Sequence, residues 1–282
     1  MCIRDRLEVV RDLSYPLFII ERSPLLARDL DLLVDINRRA WVGVLFSISN
    51  VDPILKRAFE PRSPGVWRRL QAMEKLAVAG ILAGTSMMPV IPFAGDDRAH
   101  LEDLVRATKD HGGSCLLAGG LTMDGLQAQR TLEAARRMDP QLEPLWRKLY
   151  RWEEAGRPTY GPLPSYNARL GLLVRELCAK HGLLDRMPRP SFPGPLAVNK
   201  QVAERLFLKT YDLEMEGASD SRIWAYRKAA WAVDELEQSV AEIFASQGEA
   251  GLQGLPGVGK SLAGQIGSWS QEEVGRDGQG TA

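Results

Sequence analysis

An apolar run of strand length at residues 42–49 (V-G-V-L-F-S-I-S) stops at Asn50. It gives way to two helix-period segments punctuated by proline, V-D-P-I-L-K-R-A-F-E-P-R-S-P and W-R-R-L-Q-A-M-E-K-L-A-V-A-G. A strand followed by a helical crossover commits the chain to a parallel sheet, because only a crossover brings the next strand back in the same direction. Three further runs, at 16–21, 81–91 and 114–121, repeat the pattern, with helix-period segments over 25–39, over 97–111 behind Asp97, and from Asp124 onward. The expected class is therefore α/β, with four parallel strands forming an open sheet or incomplete barrel. Ligands of such folds collect at the C-terminal strand ends. Ser47, Ser49 and Asn50 are accordingly the first candidate contacts, with turn and capping roles as the alternative.

The 282 residues carry no formal net charge, which argues against a purely electrostatic nucleic-acid binder but says nothing of local patches. No run approaches the roughly 18 apolar residues of a membrane span, so no membrane partner is expected, and a cytoplasmic location is the expectation. Cys2, Cys115 and Cys178 are too scattered for a disulfide framework or a metal motif. Residues 1–6 (M-C-I-R-D-R) match nothing downstream and read as an artificial end; residues 7–13 read as the last turns of a helix. From 140 to 184 the pattern is helical, with a break at 157–164. The run P-R-P-S-F-P-G-P at 188–195 is a stiff linker and the natural domain boundary.

Beyond the linker, Asn199 is expected to cap a helix, with further helices over 221–236 and 239–246. Leu206, Leu213, Ile223, Trp224, Trp231, Leu236, Ile243 and Leu262 fall at helical spacing and form the expected core. The stretch L-P-G-V-G-K follows, and the Gly-rich end at 271–282 is expected to be disordered.

Residues 7–187 resemble the C-terminal two thirds of a radical S-adenosylmethionine (SAM) enzyme of the spore photoproduct lyase-like group. The resemblance rests on I-I-E-R-S-P-L-L-A-R-D-L-D-L-L, V-L-F-S-I-S-N-V-D-P-I-L-K-R-A-F-E-P-R-S-P and P-V-I-P-F-A-G-D-D, with L-W-R-K-L-Y and Y-N-A-R-L-G-L-L-V-R-E-L-C further on. It implies a partial (β/α)6 barrel, of which the chain carries the third to sixth strands. It also implies a [4Fe–4S] cluster and SAM in a full-length parent, with an electron donor as partner. The family's C-x-x-x-C-x-x-C loop is not among these residues, so no cluster is expected to assemble on this chain. By the same resemblance, Arg22 and Ser23 stand where the family has a Thr-Lys-Ser-like element at a strand end. Ser47 and Ser49 fall at the next strand end, and Val90 and Ile91 fall where the family lines the adenine.

Residues 198–270 resemble the helical N-terminal domain of X-family DNA polymerases, through N-K-Q-V-A-E-R-L, R-I-W-A-Y-R-K-A-A-W-A-V and L-P-G-V-G-K-S-L-A. The last is a helix–hairpin–helix motif, whose glycines let a helix N-terminus approach a phosphate. Gly257, Val258, Gly259, Lys260 and Ser261 are the candidate DNA contacts, made to the backbone and without sequence readout. The position of the family's lyase lysine holds Gln265, which cannot form an imine, so cleavage of abasic sites is not expected. Together the resemblances imply part of a radical SAM protein that acts on or repairs DNA. The alternatives are a radical SAM enzyme of tRNA or peptide, and a non-catalytic DNA-binding protein.

Overall fold

The apolar runs pair in chain order, each with the next, as one four-stranded parallel sheet: β1 (Leu17–Glu21), β2 (Val42–Ser47), β3 (Leu82–Val90) and β4 (Cys115–Gly120). The structure is a computed structural model that describes residues 3–190 and 194–279. The chain divides into two compact units, Met1–Pro188 and Arg189–Ala282.

In the first unit the helices are α1 (Ile3–Asp12), α2 (Leu30–Arg39), α3 (Pro53–Phe59), α4 (Val66–Val78), α5 (Arg98–Asp110), α6 (Gly125–Met138), α7 (Leu142–Leu149), α8 (Trp152–Ala155) and α9 (Pro164–Lys180). Their starts are chemically marked. Asp52 accepts from the Ile54 and Leu55 amides at the head of α3, and Asp97 accepts from those of Ala99 and His100 at the head of α5. The helix expected over 25–39 opens instead as a 3-10 turn, Pro24–Asp29, capped by Ser23, and becomes α-helical only at Leu30. The segment 1–6 does not stand apart. From Ile3 it belongs to α1, and Arg4 donates to buried Asp29 (3.2 Å) and to Asp31 (2.6 Å); Met1 and Cys2 lie outside the described residues.

Alternate strand residues face opposite sides. Val42, Val44, Phe46, Ala83, Met87 and Leu116 join the helices in one core. The other face is covered only in part: Phe18 and Ile20 on β1 are 47% and 52% exposed. Met187 packs there with Trp41 against Gly43, and Leu184 bridges in parallel to Cys115. Around the loops that follow β3 and β4, Trp146 donates to the Pro92 carbonyl (2.9 Å), Tyr150 to that of Leu121 (2.6 Å) and Tyr166 to Asp96 (2.8 Å). Burial raises both tyrosine hydroxyls above their ordinary range, so they stay protonated donors.

The second unit holds α10 (Ala197–Met215), α11 (Asp220–Asp234), α12 (Val240–Gln253, bent at Gly248) and α13 (Lys260–Gln279). Asn199 is not a cap. It sits inside α10, fully buried; its amide donates to the Leu236 and Gln238 carbonyls and accepts from the Val240 amide (2.8 Å), which fixes the turn between α11 and α12. Trp224 and Trp231 are half-exposed rather than core; Ile223, Tyr226, Ala230 and Val233 fill the inner face of α11. The end expected to be disordered from 271 is helical through Gln279, with Ser270 and Glu273 buried and Arg205 donating to Glu273 (3.0 Å); residues 280–282 lie outside the described residues. No described helix is long and apolar enough to cross a membrane.

Candidate functional site

β2 ends at Ser47, so Ser49 and Asn50 lie in the loop beyond it, all three buried. The loop is held by an ion pair that sequence reasoning missed. Arg69, fully buried on α4, donates through Nη1 to the Ser47 carbonyl and to Glu60 Oε2 (3.2 Å), and through Nη2 to the Pro64 carbonyl (3.1 Å). Glu60 also accepts from Ser49 (2.6 Å) and Ser63 (2.8 Å). Burial works to raise the Glu60 pKa, but these hydroxyls and the Arg69 charge outweigh it and hold it below the ordinary carboxylate range. One signal pointed to the pair: Arg69 lies on the apolar stripe of Ala72, Met73 and Leu76, where a charge needs a partner.

Of the residues singled out at this edge, Arg22 and Ser47 come together, with Nε 3.5 Å from the Ser47 hydroxyl. Ser49 is committed to Glu60 and Ser23 to its capping bond with Leu25. Glu21 Oε1 accepts from the Arg22 and Ser23 amides (2.6 and 2.9 Å), which fixes the direction in which the chain leaves β1. Val90 and Ile91 are buried in the core against the helices, so a ligand at the edge would not meet their side chains. Asn50 Oδ1 and Arg69 Nε are buried without a hydrogen bond among the described residues. The edge thus presents the exposed guanidinium of Arg22, with the Ser47 hydroxyl and the unbonded Asn50 amide oxygen buried behind it, polar groups of the kind that meet a carboxylate and hydroxyls.

His100 ties two helix heads together beside this edge, Nδ1 to Asp97 and Nε2 to Asp52 (3.4 Å). Partial burial lowers its pKa, but the bonds and charges of Asp97 and then Asp52 outweigh that and leave it above 6.5. Its contribution to stability is therefore complete below pH 6.5 and fades as the pH rises through the folded value. His100→Gln is expected to lower the urea midpoint most near pH 6, by the equivalent of about 1 kcal/mol or less for so exposed a group. The gap should narrow by pH 8.5; a gap independent of pH would mean that the imidazole acts uncharged.

In the second unit, the hairpin runs from the end of α12 through Gly254 to Lys260. Gly257 has φ +77°, a left-handed turn that favours glycine, and a Cβ there would meet Lys228 at 2.9 Å. At Gly259 a Cβ would meet nothing within 4 Å, so the backbone at the head of α13 is open to approach. Val258 is buried, while Lys260 and Ser261 are exposed at the head of α13. Gln265 accepts a hydrogen bond from Tyr226 (3.0 Å). Beside the turn, Trp224, Lys228 and Trp231 share one stripe of α11, with the two indoles 6.1 Å apart and about 45% exposed. Exposed aromatics flanking a lysine are the elements of a base-stacking surface. Their i, i+4, i+7 spacing is visible in the sequence, but not that this stripe faces outward.

The chain is 31% identical over 176 residues to uncharacterized proteins of Mycobacterium bovis and Mycobacterium tuberculosis. The matched stretch covers 62% of this chain and 50% of each relative, so the chain spans about half the length of the curated relatives it matches. No protein-family signature matches it.

Proposed function

We propose that this chain is part of a radical SAM iron–sulfur protein of the photoproduct lyase-like group, directed to DNA by its helix–hairpin–helix unit. The finer fold reading belongs to the same proposal: the four-stranded sheet as the third to sixth strands of a (β/α)6 barrel, followed by an X-family-polymerase-like helical domain. The observation that carries it is the open backbone at Gly259, behind the left-handed turn of Gly257, at the head of a long helix bearing Lys260. Such amides bind a phosphate without reading sequence.

The SAM half rests on the strand-edge set. Arg22 would meet the carboxylate, and Ser47 and Asn50 the hydroxyls, while the Glu60–Arg69 pair holds their loop in place. SAM, once reduced by one electron from a cluster elsewhere in the longer parent, would supply a carbon radical for hydrogen abstraction.

The cluster does not fit this chain. No group of three or more His, Cys, Asp or Glu that could hold a metal occurs among the described residues. Burial pushes the Cys115 and Cys178 thiols up to about 11 and about 12, far from the thiolate form that iron–sulfur clusters require. The cluster loop would come from other residues of a longer parent. Reconstituted anaerobically with iron and sulfide, this chain is expected to show no stoichiometric cluster absorbance. Binding of about four irons per chain would overturn the assignment of the cluster to other residues. The DNA half is tested by the hairpin variants taken up in the Discussion.

A further inference from the structure

The first unit carries a cleft of about 980 Å³ between α3 and α6, walled by arginines on both sides. Arg57 and Arg62 stand on the wall built by α3 and the turn after it, and Arg130 and Arg137 on α6. All four are exposed. Arg137 is paired with Glu133, four residues before it and also in the lining; Arg57, Arg62 and Arg130 make no ion pair or hydrogen bond among the described residues. Exposed arginines elsewhere are of both kinds: Arg39, Arg98, Arg106 and Arg136 have carboxylate partners, whereas Arg38, Arg68 and Arg222 have none among the described residues, but only the cleft sets such cations on facing walls. In a chain whose formal charges cancel, the cleft concentrates cations that the fold leaves uncompensated.

We propose that this cleft binds a nucleic-acid strand, with its arginines on the phosphates. Unpaired cations on both walls call for a polyanion lying between them rather than a ligand with a single anionic end. The guanidinium fork matches phosphate geometry and stacks on bases, and all four cations are arginine rather than lysine. Arg130 and Arg137 lie seven residues apart on one helix, about 10 Å along its axis, far enough apart to meet different phosphates of one strand. The floor includes Phe59 and other apolar side chains, which suits bases better than a carboxylate-rich peptide. The choice of nucleic acid over an acidic peptide rests on the reading of the second unit as a phosphate binder. The cleft itself is an independent observation.

The test is the affinity of the full chain for a labelled 15-nucleotide single-stranded DNA over a KCl series, in the wild-type and Gly259→Val backgrounds. Arg57→Glu with Arg130→Glu is expected to weaken binding at least tenfold at low salt in both. It should also lower the slope of log affinity against log salt by about 1.4, two contacts at ~0.7 each for a single strand. Circular dichroism checks the fold, and Arg57→Gln with Arg130→Gln, which removes the charge more gently, should lower the slope likewise. Unchanged affinity and slope would overturn the proposal, as would the absence of any residual binding in the Gly259→Val background. Displacement by polyglutamate as effective as that by unlabelled strand would make the cleft a peptide site. If Gly259→Val changes nothing while the arginine variants lose binding, the hairpin reading fails and the cleft stands.

Discussion

Arg69→Met is expected to lower the free energy of unfolding by about 3–5 kcal/mol, the cost of leaving one member of a buried ion pair without its partner. The substitution keeps an unbranched apolar stem. It removes the donors to Glu60 and to the Ser47 and Pro64 carbonyls, leaving the Glu60 carboxylate with the Ser49 and Ser63 hydroxyls but no cation beside it. A urea titration at neutral pH reads the effect directly. Glu60→Gln added to Arg69→Met should recover more than half of the loss, because a neutral amide no longer carries an uncompensated buried charge. A single-variant loss under about 1 kcal/mol would show that the loop beyond β2 does not depend on this pair.

Gly259→Val is expected to reduce DNA affinity tenfold or more while leaving the helical circular dichroism signal intact. A side chain there meets no protein atom, so its effect falls on whatever approaches the backbone from outside. Gly257→Val is a blunter change, since it forces a β-branched residue into φ +77° against Lys228 and so disturbs the packing on α11 as well. Lys260→Glu should weaken binding by a similar amount across unrelated sequences and flatten the salt dependence by about one contact. Full DNA affinity in Gly259→Val would make the hairpin a structural turn and end the DNA assignment that rests on it.

The four strands were legible because strands buried in a parallel sheet read as unbroken apolar runs, and the head of α5 because Asp97 caps it in plain sight. The limits of that reading lie in long-range contacts. Residues 48 and 49 continue the apolar and small-residue pattern, yet the strand stops at Ser47, whose carbonyl is taken by Arg69 from another element. Asn199 has the composition of a cap, and only contacts some forty residues away reveal it as a buried clasp. On α11 the helical period marks two stripes, one bulky and one of smaller residues. Nothing local says that Ile223, Tyr226, Ala230 and Val233 turn inward and the tryptophans outward. The end of the last helix hid behind its composition: Leu262, Ala263 and Ile266 begin its buried stripe, but Ser270 and Glu273 continue it with polar residues.

The order in which the strands pair also bears on how the first unit can form. Leu17 pairs with Val42, Gly43 with Leu82, and Gly84 with Cys115, so every strand joins the one made just before it and none has to be inserted between two already placed. Each addition closes a single loop and supplies the edge for the next, which keeps the entropic cost of every step comparable. A nascent chain can therefore add these four strands to the sheet one after another, without waiting for distant sequence.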